Sequence, residues 1–319
     1  MKKFRYLFIY LLILLIPFYV LAYDRVIPGG ETIGIEVHSK GVLVVGFYKV
    51  NDSFIARESG FKVGDRIIKV NGVSVDTIEE MTREINDKNN ISFTIDRNNS
   101  IKNIKMNLVY SDNSLKTGLY VKDKINGLGT LSFILEDRKF GGLGHEIMES
   151  STAEKFEIKD GEIYDASVDG IIKSYNGSAG EKNATIDRSE VTGIITNNEN
   201  TGIYGNYNGD ISNREYLDIG NIEEIRVGDA YIRTVVDNTN IKDYHINILK
   251  IDKNDSTKNI LFEIVDSELL NRTGGVIQGM SGSPIIQDNK MIGVVNYVLV
   301  NDPSKGFGIF LTTMLEEIE

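Results

Sequence analysis

A chain of 319 residues with 41% apolar side chains can bury real cores and has room for about two domains. Its formal charge of -11, spread over residues of both signs, excludes a surface built to track phosphates, which needs clustered lysine and arginine. With no cysteine and three histidines, His38, His145 and His245, the chain has no disulfide scaffold, thiolate metal site or cysteine nucleophile. No cofactor, metal or nucleic-acid partner is expected.

Lys2, Lys3 and Arg5 precede an uncharged run from Tyr6 to Tyr23. At ~1.5 Å per residue this run reaches about 27 Å, close to the thickness of a bilayer's hydrocarbon core. The basic flank on its N-terminal side predicts a cytoplasmic tip and export of everything beyond Tyr23. Two readings remain open: an uncleaved anchor, or a signal peptide with Val20-Leu21-Ala22 as its small-residue cleavage site.

After Pro28-Gly29-Gly30, residues 31–112 read as short strands with one helix. Ile33–Val37 alternates, Gly41–Phe47 reads as a buried strand, and Arg66–Val70 leads into an Asn71-Gly72 hairpin turn. A helix is expected from Asp76, with Asp76 as its cap, Glu79 completing a capping box, and Ile78, Met81 and Ile85 on one apolar stripe. Glu58-Ser59-Gly60-Phe61-Lys62-Val63-Gly64-Asp65, followed by Arg66-Ile67-Ile68-Lys69-Val70-Asn71-Gly72, resembles a PDZ domain. The resemblance makes Ile33, Gly34 and Ile35 a carboxylate-binding loop, with a peptide adding as a strand beside Ile35–His38. The alternative is that Gly34 is a turn and the chain fills its own groove.

From about Leu115 the pattern becomes short apolar runs separated by Gly, Asn and Asp: 130–135, 170–174, 191–196, 231–236, 244–251, 259–265, 284–286 and 291–300. Turns about every ten residues predict an all-β barrel or sandwich. The expected division is 1–23 for the cytoplasmic tip and membrane anchor or signal segment, 24–112 for linker and PDZ-like domain, and 113–319 for a β-rich domain.

In Gly279-Met280-Ser281-Gly282-Ser283-Pro284 a serine is flanked by glycines. A serine nucleophile needs a tight turn, small neighbours and amides free to meet a developing oxyanion. A plain Gly/Ser turn fits the same string. A nucleophilic serine also needs a base, and His145, after Gly141-Gly142-Leu143-Gly144, sits best for a loop tip. His145-Glu146 is not half of a zinc helix, because Glu149 stands where a second histidine is required. For an orienting carboxylate, Asp266 competes with Asp165, Asp187 and Asp237; by its own residues Asp266 reads as a cap for the turn that follows.

The nucleophile segment resembles that of chymotrypsin-like peptidases, which implies Ser281 rather than Ser283 as nucleophile and the amides of Gly279 and Ser281 as oxyanion hole. The order of anchor, PDZ-like module, Gly142-Leu143-Gly144-His145 and Gln278–Gln287 resembles the stage IV sporulation protein B (SpoIVB) family. That resemblance implies a mainly β chain: an N-terminal membrane anchor, a small α+β PDZ domain and a chymotrypsin-like double-barrel serine peptidase. It places nucleophile, base and acid on Ser281, His145 and Asp266. It implies a membrane-tethered, site-specific endopeptidase in the space between the forespore membranes, which cuts itself and a membrane-bound inhibitor of an intramembrane protease that processes a late sigma factor. A non-catalytic peptide-binding adaptor and a quality-control protease of the HtrA type are the competing functions.

Overall fold

The structure is a computed structural model that describes residues 23–85, 89–111 and 113–318. The expected membrane segment lies almost wholly outside these residues. Among the described residues no helix is long and apolar enough to cross a membrane.

Two closed antiparallel barrels of six strands each dominate the chain. In the first, Thr32–Phe47 pairs with Leu119–Ile134, followed around the ring by Lys139–Gly142, Gly202–Tyr207, Gly193–Glu199 and Ile158–Ile172, which returns to Thr32–Phe47. In the second, Gly228–Val235, Ile241–Ile251, Ile260–Ile264, Lys305–Phe310, Lys290–Val298 and Pro284–Gln287 close in the same way. Closure removes the open edges that a free sheet would present. Each barrel buries its own core: Ile35, Leu131, Phe140, Ile163 and Ile195 in the first, Ile232, Ile246, Phe262, Ile285 and Phe310 in the second. A third cluster, with Phe133, Met291, Val294 and Ile309, is closed by Leu311, Met314 and Leu315 of the C-terminal helix Leu311–Leu315. The expected double barrel is therefore present.

A further sheet of Arg66–Val70, Val73–Ser74, Asn90–Arg97 and Ser100–Asn107 packs with the helix Ile78–Ile85 around Phe61, Ile67, Phe93 and Ile95. Asn71 (φ 51°) and Gly72 (φ 85°) both turn left-handed, as the tight hairpin between Val70 and Val73 requires. Met81 and Ile85 are buried and Ile78 packs against the same core. The capping box lies one residue later than the sequence suggests. Thr77 Oγ1 accepts the Glu80 amide at 3.1 Å, and Glu80 Oε2 accepts the amides of Asp76 and Thr77 at 2.8 and 3.2 Å. Asp76 instead accepts from the Gly41 amide and the Lys159 ammonium. Thr77→Ala should therefore lower stability by about 1 kcal/mol, read by chemical denaturation, with Asp76→Ala costing less.

Pairing shows one strand shared between the two expected domains and corrects the expected peptide-binding loop. Thr32–Phe47 is one continuous strand shared between two sheets. Its first half is a barrel strand, paired on one side through Ile33↔Asp165, Gly34↔Tyr164 and Ile35↔Ile163, and on the other through Ile33↔Gly129 and Ile35↔Gly127. Its second half pairs with Arg66 and Ile67 on one flank and with Leu119–Lys122 on the other. Ile33, Gly34 and Ile35 therefore form no loop, and their strand has no edge open to a peptide. Asp123, in the same strand as Leu119–Lys122, accepts the Ile78 amide at the start of the helix at 2.8 Å. The chain's own strand lies where a ligand strand would add.

Candidate active site

Ser281 and His145 reach one cleft of about 720 Å³ from opposite barrels. His145 leaves the first barrel just after the strand Lys139–Gly142. Leu143 (φ 70°) and Gly144 (φ 75°) are both left-handed, an uncommon state for leucine that costs of the order of 1 kcal/mol and swings the next residue out of the sheet. A Cβ on Gly144 would stand 2.9 Å from Val294 and 3.2 Å from Asn296, so only glycine lets the loop pass this close to the second barrel. The His145 ring then stacks on Tyr297, with centroids 5.7 Å apart and planes at 23°.

His145 Nδ1 lies 2.9 Å from the Glu146 carbonyl oxygen. A carbonyl can only accept, so Nδ1 carries a hydrogen, and in the neutral ring the lone pair is on Nε2. Asn198, 4% exposed, clamps the same loop: its Oδ1 accepts the Ile147 amide at 2.8 Å, and its Nδ2 donates to the carbonyls of Ile147 and Phe156. Burial first, and then the Glu146 carboxylate, push the Tyr297 phenol above its usual range, keeping it neutral beneath the imidazole.

The serine turn is fastened to the first barrel by Thr130, whose amide donates to the Ser281 carbonyl at 3.0 Å and whose hydroxyl donates to the Gly279 carbonyl at 2.7 Å. Gly282 (φ 96°) is needed at this crossing, since a Cβ there would lie 2.2 Å from the Thr130 oxygen. The amides of Met280, Gly282 and Ser283 are bonded within the second barrel, whereas those of Gly279 and Ser281 donate to no backbone oxygen among the described residues. Two unpaired amides beside a serine are what an oxyanion hole requires. The Ser281 hydroxyl lines the cleft and donates to the Asn296 carbonyl at 3.3 Å. Ser283 is fully buried and out of reach of a substrate.

Among the described residues no hydrogen bond joins Ser281 to His145; the hydroxyl rests on the Asn296 carbonyl and would have to rotate to reach the imidazole, a looseness usual in peptidase sites before substrate binds. The Asp266 side chain has no hydrogen bond to either among the described residues. It is the N-cap of the helix Ser267–Thr273: Oδ1 accepts the Leu269 amide at 3.0 Å and Oδ2 accepts the His245 amide at 3.4 Å. It is not among the residues lining the cleft. The structure thus realises the cap that its own residues suggested and leaves the Glu146 carbonyl, not a carboxylate, against His145 Nδ1. The other two histidines are accounted for elsewhere, His38 between Asp160 and Glu36 and His245 against the Tyr231 ring.

Lys182, in the strand Gly180–Asp187, went unnoticed in the sequence because nothing there marks that strand as buried. It is 3% exposed, donates to Thr32 Oγ1 and Thr234 Oγ1 at 3.1 Å each, and so joins the two barrels. A Cβ on Gly279 would lie 3.1 Å from its side chain, so it packs directly behind the amide of the serine turn. Burial without a carboxylate partner pulls its ammonium down to about 7.

A profile described as SpoIVB peptidase S55 matches residues 113–315 and a PDZ domain profile matches residues 32–108; the first residues of the latter are the barrel half of the shared strand. No curated protein matches the chain significantly. Among solved structures it is similar to the Rv3671c protease from M. tuberculosis in its active form, with 14% identity over 61% of this chain and 73% of that one and a TM-score of 0.35. The HtrA-type protease AlgW with decapeptide matches at 12% identity over 61% of this chain and 52% of that one, with a TM-score of 0.35. A second AlgW structure with decapeptide matches at 10% identity over 91% and 62%, with a TM-score of 0.37. The chain belongs to the SpoIVB peptidase S55 family and is a serine endopeptidase that carries a PDZ domain.

Proposed function

We propose that Ser281 is the nucleophile and His145 the general base of this peptidase, with the amides of Gly279 and Ser281 as the oxyanion hole. The observation that carries the reading is that both side chains line one cleft while two amides of the serine turn stay unpaired. The Ser281 hydroxyl swings from the Asn296 carbonyl to His145 Nε2 and attacks the scissile carbonyl. Its proton passes through the imidazole to the leaving amine, and water then hydrolyses the acyl-enzyme by the same route. A fluorophosphonate, which reacts only with an activated serine, should label Ser281 in the full chain; an unlabelled Ser281 in folded protein would overturn the assignment.

In this reading the imidazole is oriented by the Glu146 carbonyl and the Tyr297 ring, and Asp266 has no part in it. Asp266→Asn, which preserves a capping side chain, should leave kcat/KM within about threefold of wild type, and Asp266→Ala should cost about 1 kcal/mol of stability. A thousandfold loss of activity in the Asn variant would restore Asp266 as the orienting acid.

Family membership supports the finer role: a site-specific peptidase of the extracytoplasmic side, tethered by the segment ending at Tyr23, that cuts itself and a membrane-bound regulator of an intramembrane protease during sporulation. Co-expression of the full chain with such a regulator tests it. Loss of the regulator with wild-type protein and its persistence with Ser281→Ala is the expected result; equal loss with both would remove the role.

A further inference from the structure

The loop that carries His145 is gripped at both ends by one hairpin of the first barrel. Upstream, Gly202 opens the strand Gly202–Tyr207 and fits under the loop because it has no side chain: a Cβ there would lie 2.5 Å from the Gly142 oxygen and 3.4 Å from the Gly144 nitrogen. Downstream, Asn198, near the end of the partner strand Gly193–Glu199, holds Ile147 and Phe156. Its inward aim comes from a bulge. The pairing passes from Ile195↔Gly205 to Asn197↔Tyr204, which leaves Thr196 as the extra residue and moves the buried positions from Gly193 and Ile195 to Asn198. A bulge shifts the two-residue alternation of a strand by one and re-aims the side chains that follow.

Once buried, Asn198 uses both ends of its amide. Oδ1 accepts the Ile147 amide at 2.8 Å, and Nδ2 donates to the carbonyls of Ile147 and Phe156 at 3.0 and 2.9 Å. Only one orientation of the side-chain amide fits, because each N–H needs an acceptor and each carbonyl a donor. The Phe156 amide donates to the Ile147 carbonyl at 2.9 Å, so the segment from 147 to 156 is closed on itself and pinned at its base. The peptide group joining Glu146 to Ile147 therefore has a partner on each side: its N–H meets Asn198 Oδ1, and its C=O accepts from His145 Nδ1 at 2.9 Å. A peptide unit is planar, so holding the N–H fixes the direction of the carbonyl. Successive hydrogen bonds through one group also polarise and strengthen each other.

We propose that Asn198 is a positioning residue for the peptidase: through the Glu146–Ile147 peptide it orients the His145 ring and keeps the hydrogen on Nδ1, leaving the Nε2 lone pair for the serine proton. The inference rests on Ser281 and His145 as the catalytic pair and deepens that reading. It is tested on detergent-solubilised full-length chain with isotope-labelled histidine, whose imidazole nitrogens are read by NMR and assigned to His145 by their absence from His145→Ala. At about pH 8.5, where an ordinary imidazole is neutral, wild type should carry the hydrogen on Nδ1. Asn198→Ala should show both tautomers, with kcat lowered about 100-fold and KM within about twofold of wild type. Asn198→Asp carries the test should the alanine variant fail to fold. While protonated, its carboxyl still accepts the Ile147 amide and donates to one carbonyl; once ionised it opposes both carbonyls. Its kcat/KM should therefore stay within about tenfold of wild type near pH 6.5 and fall as pH rises, where wild type does not. Hydrogen on Nε2 in wild type, an unmoved tautomer in folded Asn198→Ala whatever its rate, or an Asn198→Asp profile parallel to wild type overturns the proposal. Fluorophosphonate labelling separates the two ideas: labelled Ser281 with an unmoved tautomer removes only the role of Asn198, whereas unlabelled Ser281 removes the catalytic pair and this role with it.

Discussion

Replacing Ser281 by alanine should abolish fluorophosphonate labelling and reduce peptide hydrolysis by about 10⁶-fold while leaving the thermal transition in place. His145→Ala should lose nearly as much, and the double variant scarcely more than either alone, because hydroxyl and imidazole act as one unit. The transition should survive because both side chains are only partly buried at the cleft, and the hydroxyl gives up one weak 3.3 Å bond to Asn296. Equal activity in Ser281→Ala would sink the mechanism. A residual rate somewhat above the uncatalysed one is compatible with it, since unpaired amides still bind the oxyanion.

The second large effect concerns stability and belongs to Lys182. Its ammonium falls from 10.5 to about 7 through burial alone, and a displacement of that size corresponds to about 5 kcal/mol. Below pH 7 both folded and unfolded chains carry the proton, and the folded one bears the full cost of a buried, unpaired charge. Between pH 7 and about 10.4 the unfolded chain binds more protons, so stability gained from this residue rises with pH. Lys182→Met, similar in volume and uncharged, removes this dependence. Its stability relative to wild type should be higher at pH 6 than at pH 9 by about 3 kcal/mol. The loss of hydrogen bonds to Thr32 and Thr234 is the same at both pH values and drops out of the comparison. A difference independent of pH would mean that the ammonium is relieved by hydration or by a partner.

Retaining Lys182 at such a cost fits its place. Its stem lies behind Gly279 and its head joins Thr32 of one barrel to Thr234 of the other, so the same side chain braces the serine turn and the seam between the barrels that carry Ser281 and His145. Thr130 braces the turn from the front. Together they explain how two loops from separate barrels keep a common geometry, which a catalytic pair needs to within about half an ångström.

Much was legible along the chain because it depends on neighbours in sequence. Asn71-Gly72 specified its hairpin through left-handed backbone, the stripe of Ile78, Met81 and Ile85 specified the buried face of a helix, and Asp266 before Ser267 specified a cap. The string around Ser281 and the glycines before His145 marked the two loops of the cleft. Other features were not readable because they depend on what lies across from a segment. Ile33–Val37 and Gly41–Phe47 read as two strands, yet one strand runs from Thr32 to Phe47 since each half has partners on both sides. The strand Gly180–Asp187, with its polar Gly-Glu-Lys-Asn start, offers no apolar pattern, and Lys182 is buried by chain more than 50 residues away. Asn198 and Tyr297 carry no local signal of the loop and ring they hold.

By itself the sequence determined the order of parts, the β-rich character and the two loops that carry Ser281 and His145, because turn chemistry, periodicity and caps are local. Only the tertiary structure decided that Thr32–Ser39 belongs to the first barrel, that the groove strand is already paired, and that Asp266 caps a helix and does not line the cleft. Each of those outcomes is settled by which backbone amide or carbonyl lies opposite, and that partner is chosen by closure of the barrels.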